Sequence, residues 1–377
     1  MKKFFAVFII LLFVATPIAF ADGDLASSEN TDALTERGKV VEIVTDVDLD
    51  ELYASESTSF DMASQLVKVK VTTGKYKNEI FLVENNLSGN RAFDIVVEKG
   101  SNVILSIQET PEGVPNVYIA DFVRDTYLYI ILALFAILLI VIGKMKGLKS
   151  LITLSVTAFV VLKVMLPLFL KGYNPIWVTV LSAFFITVIT FVIIGGLNIK
   201  SISAIIGTLG GVLIAGTLAY VIGKTARLTG LSSEEAHMLM FIPQNIDFNF
   251  QGLLFAGIII GALGAVMDVA MSVASSMFEI REINPDISPT ELMKSGMNVG
   301  KDIMGTMSNT LILAYTGSSI PLILVFMAYE ASLVKILNLD LMATEIIRSI
   351  VGSIGLIITI PITSLATGLI LKYKDSL

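Results

Sequence analysis

Two aspartates lie in consecutive hydrophobic segments near the C-terminal end of the chain, Asp268 and Asp302. A carboxylate in a segment that crosses hydrocarbon costs at least about 2.5 to 3.5 kcal/mol, so such a residue normally faces a bundle interior, a partner or a water-filled path. Carboxylate oxygens suit protons and hard cations. The pair therefore marks a candidate ion site, although it does not identify the substrate.

Polar side chains accompany Asp302 at helical spacing. Thr306 and Asn309 follow it on one predicted helical face. A lipid-facing helix does not carry such a row, because each polar group there lacks a partner. We predict a cation or proton site formed by these residues: Asp268, Asp302, Thr306, Ser308 and Asn309.

Each aspartate also has a purely structural interpretation. Asp302 could be the N-cap of its helix at the membrane interface, where its charge would favour the helix dipole. Asp268 could pair with Lys163, although this lysine could instead extend towards the outer surface. Neither alternative involves transport.

Glycines recur at spacings that bring helices close together. Gly207 and Gly211 are four residues apart, and Gly257, Gly261 and Gly264 form a stripe that continues to Asp268. Small residues at such spacing let two helix backbones approach each other in a membrane. We predict that these five glycines pack helices, within one chain or between copies.

The composition is that of an integral membrane protein. The chain has 377 residues, of which 54% are hydrophobic and only 16% charged, and its mean hydropathy is +0.81. It has no cysteine, which excludes disulfides, thiolate metal sites and cysteine nucleophiles, and its single histidine excludes a histidine-rich metal site. We predict no cofactor and no enzymatic activity, and the sequence does not decide whether a metal binds.

Seven segments after Asp125 are long and apolar enough to cross a bilayer. They are Tyr127 to Ile142, Leu151 to Leu170, Ile176 to Leu197, Ile202 to Ile222, Gly252 to Phe278, Ile303 to Ala328 and Ile346 to Leu371. Lysine and arginine residues after the first, third, fifth and last segments predict a cytoplasmic C-terminus and an N-terminal domain outside the cytoplasm. In the sixth segment, the stretch from Gly317 to Pro321 is expected to break the helix.

The N-terminal part predicts export and a small β domain. Residues 1–21 have the charged start, apolar core and small-residue site of a signal peptide, with an uncleaved anchor as the alternative. Residues 22–37 are expected to form a polar tail. In residues 38–125, alternating apolar residues and turn signals predict strands at these positions: Val40 to Val47, Gln65 to Val71, Glu79 to Val83, Phe93 to Val97, Val103 to Ile107 and Val117 to Val123.

The predicted fold is therefore a small antiparallel β domain, a barrel or sandwich of OB type, followed by an α-helical polytopic membrane domain in residues 126–377 with about seven transmembrane helices. From Asp22 to Asp125 the chain has 20 acidic and 9 basic residues, a net charge of −11. This charge argues against nucleic-acid binding.

Two long runs resemble the YibE/F-like family of bacterial multi-pass membrane proteins. They are GLLFAGIIIGALGAVMDVAMSVASSMFEI, from Gly252 to Ile280, and ISPTELMKSGMNVGKDIMGTMSNTLILAYTGSSIPL, from Ile287 to Leu322. The stretches GLSSEEA and KGLKS, which begin at Gly230 and Lys146, are similar to the same family. The resemblance implies a β-rich extracytoplasmic domain before several spans, and it implies no particular activity.

The leading functional hypothesis is a gradient-driven transporter or permease for a cation or proton in the cell membrane. A membrane sensor or assembly partner, with a β domain that recognises a ligand, is one alternative, and either function would allow a homo-oligomer or another membrane partner. An intramembrane aspartyl protease is a third. It would need two carboxylates at one depth, and Val299 and Lys301 stand where the glycines of the protease motif would precede Asp302.

Overall fold

The structure is a computed structural model that describes residues 33–54, 63–109, 115–242, 246–330 and 332–374. The predicted signal peptide, residues 1–21, and most of the predicted tail lie outside these residues. The described chain divides between Leu138 and Leu139 into two compact units.

The first unit contains one five-stranded antiparallel sheet. Its strands are β1 (Leu34–Thr45), β2 (Ala63–Val71), β3 (Ile80–Leu87), β4 (Asn102–Glu109) and β5 (Pro115–Phe122), and a short helix, α1 (Leu49–Ala54), follows β1. The order across the sheet is β3-β2-β1-β4-β5. The edge strands β3 and β5 also approach each other, so the sheet curls into the partly open small barrel that the strand pattern predicts.

The period-two pattern of β2 decides which face of the sheet is buried. Val67, Val69 and Val71 are fully buried, whereas Lys68 lies on the opposite face and pairs with Glu42 of β1. Inward-facing residues of β1 and β4 join the same core. The domain is therefore held by apolar packing inside the curved sheet.

The β domain differs from the prediction at the start of its first strand and in the number of its strands. β1 begins at Leu34, so the last four residues of the predicted tail belong to the sheet. The segment Phe93 to Val97 is not a strand. It runs beside the sheet and is held there by the buried side chains of Gln65 and Asn85, which replace the backbone ladder of a strand.

An exposed polar cluster ties the hairpin between β2 and β3 to the end of β4. The Lys75 ammonium donates to Glu109 at 2.7 Å, and the Tyr76 hydroxyl donates to the same carboxylate at 2.9 Å. The hydrogen bond from Lys75, and then that from Tyr76, hold the pKa of the Glu109 carboxyl below its usual range.

The rest of the chain is helical. The helices are α2 (Asp125–Phe159), α3 (Leu166–Leu170), α4 (Pro175–Gly195), α5 (Ile199–Thr225), α6 (Glu234–Leu239), α7 (Phe250–Ile283), α8 (Pro289–Ser318), α9 (Ile320–Ala328), α10 (Leu333–Leu337) and α11 (Asp340–Lys374), with a π-helical segment, Val160–Met165, between α2 and α3. The buried face of α7 supplies much of the core of this unit, with Val266, Val269 and Val273 fully buried.

Among the described residues, five helical segments are long and apolar enough to cross a membrane, or six if a bent pair counts as one span. The five are Asp125–Leu170, Pro175–Gly195, Ile199–Thr225, Phe250–Ile283 and Asp340–Lys372. The bent pair is α8 with α9, which meet at 59° at Ser319. The predicted break between Gly317 and Pro321 is confirmed.

The 46-residue segment Asp125–Leu170 contains the first two predicted spans. Its backbone is not helical at Lys144, where φ is 48° and ψ is −124°. Gly147 lies so close to the Leu139 carbonyl that a Cβ there would overlap it. The segment therefore turns sharply within itself and is not one straight helix.

The glycines Gly207 and Gly211 of α5 pack tightly against α11. A Cβ at Gly207 would overlap the Thr363 hydroxyl, and a Cβ at Gly211 would lie 2.8 Å from the Gly355 carbonyl oxygen. We call this contact the α5–α11 seam. Its buried threonine hydroxyls include Thr359, which donates to the carbonyl of its own helix at 2.9 Å.

Candidate functional site

Asp268 lies on the exposed stripe of α7. Gly257, Gly264 and Asp268 are exposed in the chain, opposite the buried face of the helix. A Cβ at Gly257 or Gly264 would have no neighbour within 4 Å, while one at Gly261 would overlap the Tyr315 hydroxyl of α8. Two of the three predicted packing glycines therefore pack against nothing in the described chain, and Gly261 shows that the stripe borders α8.

Asp302 is inside α8, not at its start. The helix begins at Pro289, and Ser288 is its N-cap in a capping box with Glu291. The capping box supplies the hydrogen-bond partners of the first turn, so this turn does not need Asp302. Asp302 lies more than three turns further along the helix. The interpretation of Asp302 as an N-cap is wrong.

The predicted polar residues of α8 divide between two faces. Asp302, Thr306 and Asn309 are exposed. Ser308 is turned the other way, and its Oγ atom is buried without a hydrogen-bond partner among the described residues. Asp268 of α7 and Asp302, Thr306 and Asn309 of α8 are thus exposed positions on two neighbouring helices, and we refer to these four positions together as the carboxylate face.

The two aspartates lie at different levels along the antiparallel helices α7 and α8. Gly261 lies beside Tyr315, and Met277 lies beside Gly296. Asp268 lies between Gly261 and Met277 on α7, and the corresponding position between Tyr315 and Gly296 on α8 is the turn that contains Thr306. Asp302 is then about four residues away along the helix axis, or roughly 6 Å.

Neither aspartate is neutralised within the described chain. Asp268 has no ion pair or hydrogen bond there, so the pair with Lys163 is not formed. Thr306 donates its hydroxyl to the Ile303 carbonyl at 2.9 Å, which leaves its oxygen free to accept or to bind a cation. The carboxylate face thus offers oxygen atoms and two negative charges to whatever covers it.

The start of α11 has an ion pair that the sequence pattern was not used to predict. The Arg348 guanidinium donates to Glu345 at 2.7 Å, with the two side chains only 28% and 18% exposed, and it lies 5.9 Å from the ring centre of Tyr315. Glu345 lies just before the last predicted span, Ile346 to Leu371. The signal was present, since an acid and a base three residues apart on a helix can pair.

Grooves elsewhere in the helical unit do not include the carboxylate face. One of about 420 Å³ lies between α4, α5 and α7 and is lined by Trp177, Tyr220 and Ile259 among others. A smaller one, of about 170 Å³, includes Asp247 and Asn249. The larger groove is lined mostly by apolar side chains, and the smaller one mostly by loop residues. Neither groove contains a predicted site residue.

Comparison with known proteins identifies the family. The family described as YibE/F-like protein matches residues 131–373, and the YibE/F family N-terminal domain matches residues 34–122. No curated protein and no solved structure matches the chain. The first match covers the helical unit and the second covers the β domain. The structure has the corresponding architecture, with membrane-like helices after an antiparallel β domain. The chain therefore belongs to the YibE/F-like family.

Proposed function

We propose that this protein is a gradient-driven permease for a cation or proton, with Asp268 as the principal ion-binding residue. One observation supports this most: both aspartates lie well inside long helices, and each is exposed on the side of its helix that is opposite the buried residues of that helix. A carboxylate exposed to lipid is costly, so in a membrane each of them must meet water, an ion or another protein chain.

The side chains around Asp268 suit an ion path. Gly257 and Gly264 leave space beside the helix, and Thr306 and Asn309 add neutral oxygen atoms near the level of the carboxylate. Hard cations and protons prefer such oxygen ligands. Asp302, one turn away from Asp268 in depth, would be the next carboxylate along the same route.

The proposed topology has seven spans, the β domain outside and the C-terminus in the cytoplasm. The non-helical backbone at Lys144 supports dividing the first long segment into two spans. Lys144, Lys146 and Lys149 then lie together on the cytoplasmic side, as basic residues usually do.

A flux assay tests the role of Asp268. In proteoliposomes, Asp268→Asn is expected to reduce the flux of protons or of the transported cation by at least about tenfold. A tenfold change in flux corresponds to only ~1.4 kcal/mol, which is less than the free energy of a charge in hydrocarbon that the carboxylate would compensate. Glu279→Gln is the matched control, since it removes an exposed carboxylate from the same helix and is expected to leave flux unchanged. Equal flux in wild type and Asp268→Asn would overturn the proposal.

A membrane assembly partner is the second candidate. The open glycines Gly257 and Gly264 favour it, because another helix can pack on them. In that case the wild-type protein carries no flux in liposomes and co-purifies with a partner that Gly264→Leu releases. The protease alternative has less support, since carboxylates about one turn apart in depth do not share a proton.

A further inference from the structure

The larger groove of the helical unit, between α4, α5 and α7, is open at the surface of the unit. Its volume of about 420 Å³ is within the range of roughly 300–1,000 Å³ that is usual for ligand sites. Trp177 and Leu213, which line it, are 68% and 52% exposed. We call it the Trp177 groove. The three helices that form it are long and apolar enough to cross a membrane, so its natural surroundings are lipid.

The lining of the Trp177 groove suits a hydrocarbon chain. Among the described residues, no charged side chain lines it. Two of its polar residues are already engaged, since the Thr217 hydroxyl donates to the Leu213 carbonyl at 2.8 Å and the Asn174 side-chain oxygen accepts from the Ile176 N–H at 3.0 Å. A polar solute would lose its hydrogen bonds to water in this groove and gain few in return.

A positive charge lies at one end of the Trp177 groove. Along α5 the lining runs from Val212 to Tyr220, and the Lys224 ammonium lies 5.8 Å from the centre of the Tyr220 ring. The same ring packs edge-on against the buried ring of Phe255, with the two centres 5.8 Å apart. The aromatic ring that Lys224 contacts is therefore fixed by packing.

This lysine has no other partner to compensate its charge. It is exposed, and it forms no ion pair with a carboxylate among the described residues. The proposed topology places this end of α5 outside, where basic residues are uncommon. Tryptophan and tyrosine are enriched at membrane interfaces, so Trp177 in the first turn of α4 and Tyr220 near the end of α5 indicate the depth of the lipid headgroups.

We propose that the Trp177 groove binds one phospholipid with a negatively charged headgroup. An acyl chain lies along the apolar wall, and the headgroup pairs with Lys224, because basic pockets beside membrane helices attract anionic lipid. The smaller groove shares Asn174 but includes Asp247, whose charge repels such a headgroup. The site is separate from the carboxylate face, and binding here goes beyond the proposed permease function and does not depend on it.

Fluorescence quenching tests the site, because Trp177 is the only tryptophan of the sequence and lines the groove. The full-length protein is reconstituted in phosphatidylcholine vesicles that contain an increasing fraction of either phosphatidylglycerol or phosphatidylcholine with brominated acyl chains, and bromine quenches tryptophan on contact. Brominated phosphatidylglycerol is expected to reach half-maximal quenching at a mole fraction about fivefold lower than brominated phosphatidylcholine does, since one lysine near the headgroups gives about this preference.

Variants assign the headgroup preference to Lys224. Lys224→Gln is expected to make the two brominated lipids quench equally, whereas Lys200→Gln, which removes a positive charge from the opposite end of the same helix, is expected to keep the wild-type preference. An unchanged wavelength of maximum Trp177 emission in unbrominated vesicles reports that each variant keeps the groove. The proposal is overturned if the two lipids quench the wild-type protein equally, which indicates bulk lipid only, if Lys224→Gln keeps the preference, or if Lys200→Gln loses it.

Discussion

Gln65 shows how a single buried side chain can replace a strand. Its amide nitrogen donates to Asp46 at 2.7 Å, and its amide oxygen accepts from the Val97 backbone at 3.1 Å and from Asn85 at 3.2 Å. Asn85 in turn donates to the Ile95 carbonyl. The segment around Val97 is therefore attached to the sheet by two amide side chains.

Gln65→Leu is expected to destabilise the β domain by about 1–3 kcal/mol, because it leaves the buried Val97 N–H unsatisfied. Hydrogen exchange of the full-length protein, followed by mass spectrometry, should show faster exchange in residues 93–99. Gln108→Leu, on the exposed side of β4, is the matched control and should exchange as wild type does. Unchanged protection of Val97 in Gln65→Leu would contradict the role given to this network.

The residues of the candidate site were predictable from their types, but the sequence did not show which side of each helix is exposed. Asp268 and Asp302 stand out in the sequence because charge is rare in apolar segments. Whether each aspartate is buried or exposed depends on which other helices pack against α7 and α8. The local sequence does not specify that packing. The start of α8 was readable, since Ser288, Pro289 and Glu291 form a cap signal, and using it would have moved Asp302 into the helix.

At the scale of elements, the α5–α11 seam is the tightest helix contact that the predicted glycines make. Gly211 faces both the Thr359 hydroxyl and the Gly355 backbone oxygen. A threonine can change rotamer to admit a methyl group, whereas a backbone oxygen moves only with its helix. The seam is therefore sensitive to the smallest increase in volume.

Gly211→Ala is expected to lower the stability of the helical unit by about 1–3 kcal/mol, as overpacking usually does. Gly264→Ala makes the same chemical change where no atom lies within 4 Å, and it should be neutral or stabilising by up to about 1 kcal/mol, because alanine favours helix more than glycine does. The unfolding midpoints of the full-length protein compare the two. Equal midpoints would show that the seam relaxes freely.

At the scale of the whole molecule, strands and apolar segments were predictable because their periodicity is a local property. Five of the six predicted strands are present, and each predicted apolar segment lies mostly or wholly within helix. The number of spans was not predictable with the same accuracy, since a sharp turn at Lys144 and a bend at Ser319 both interrupt long apolar runs.

The absence of cysteine from the sequence makes the proposed topology testable by single-cysteine labelling. With a membrane-impermeant maleimide on intact cells, Lys77→Cys in the β domain is expected to react. Met145→Cys, next to the turn at Lys144, and Lys372→Cys, near the end of α11, are expected to react only after permeabilisation. Labelling of Met145→Cys from outside would refute the division of the first segment into two spans.

The glycines of this chain are constrained in two different ways, and this affects how related sequences should be compared. At Gly207 and Gly211 a neighbour in the same chain leaves no free space for a side chain, so invariance there would record only the volume available. Gly257 and Gly264 have no such neighbour. If relatives also keep glycine at these two positions, the selective pressure comes from a contact that lies outside the single chain.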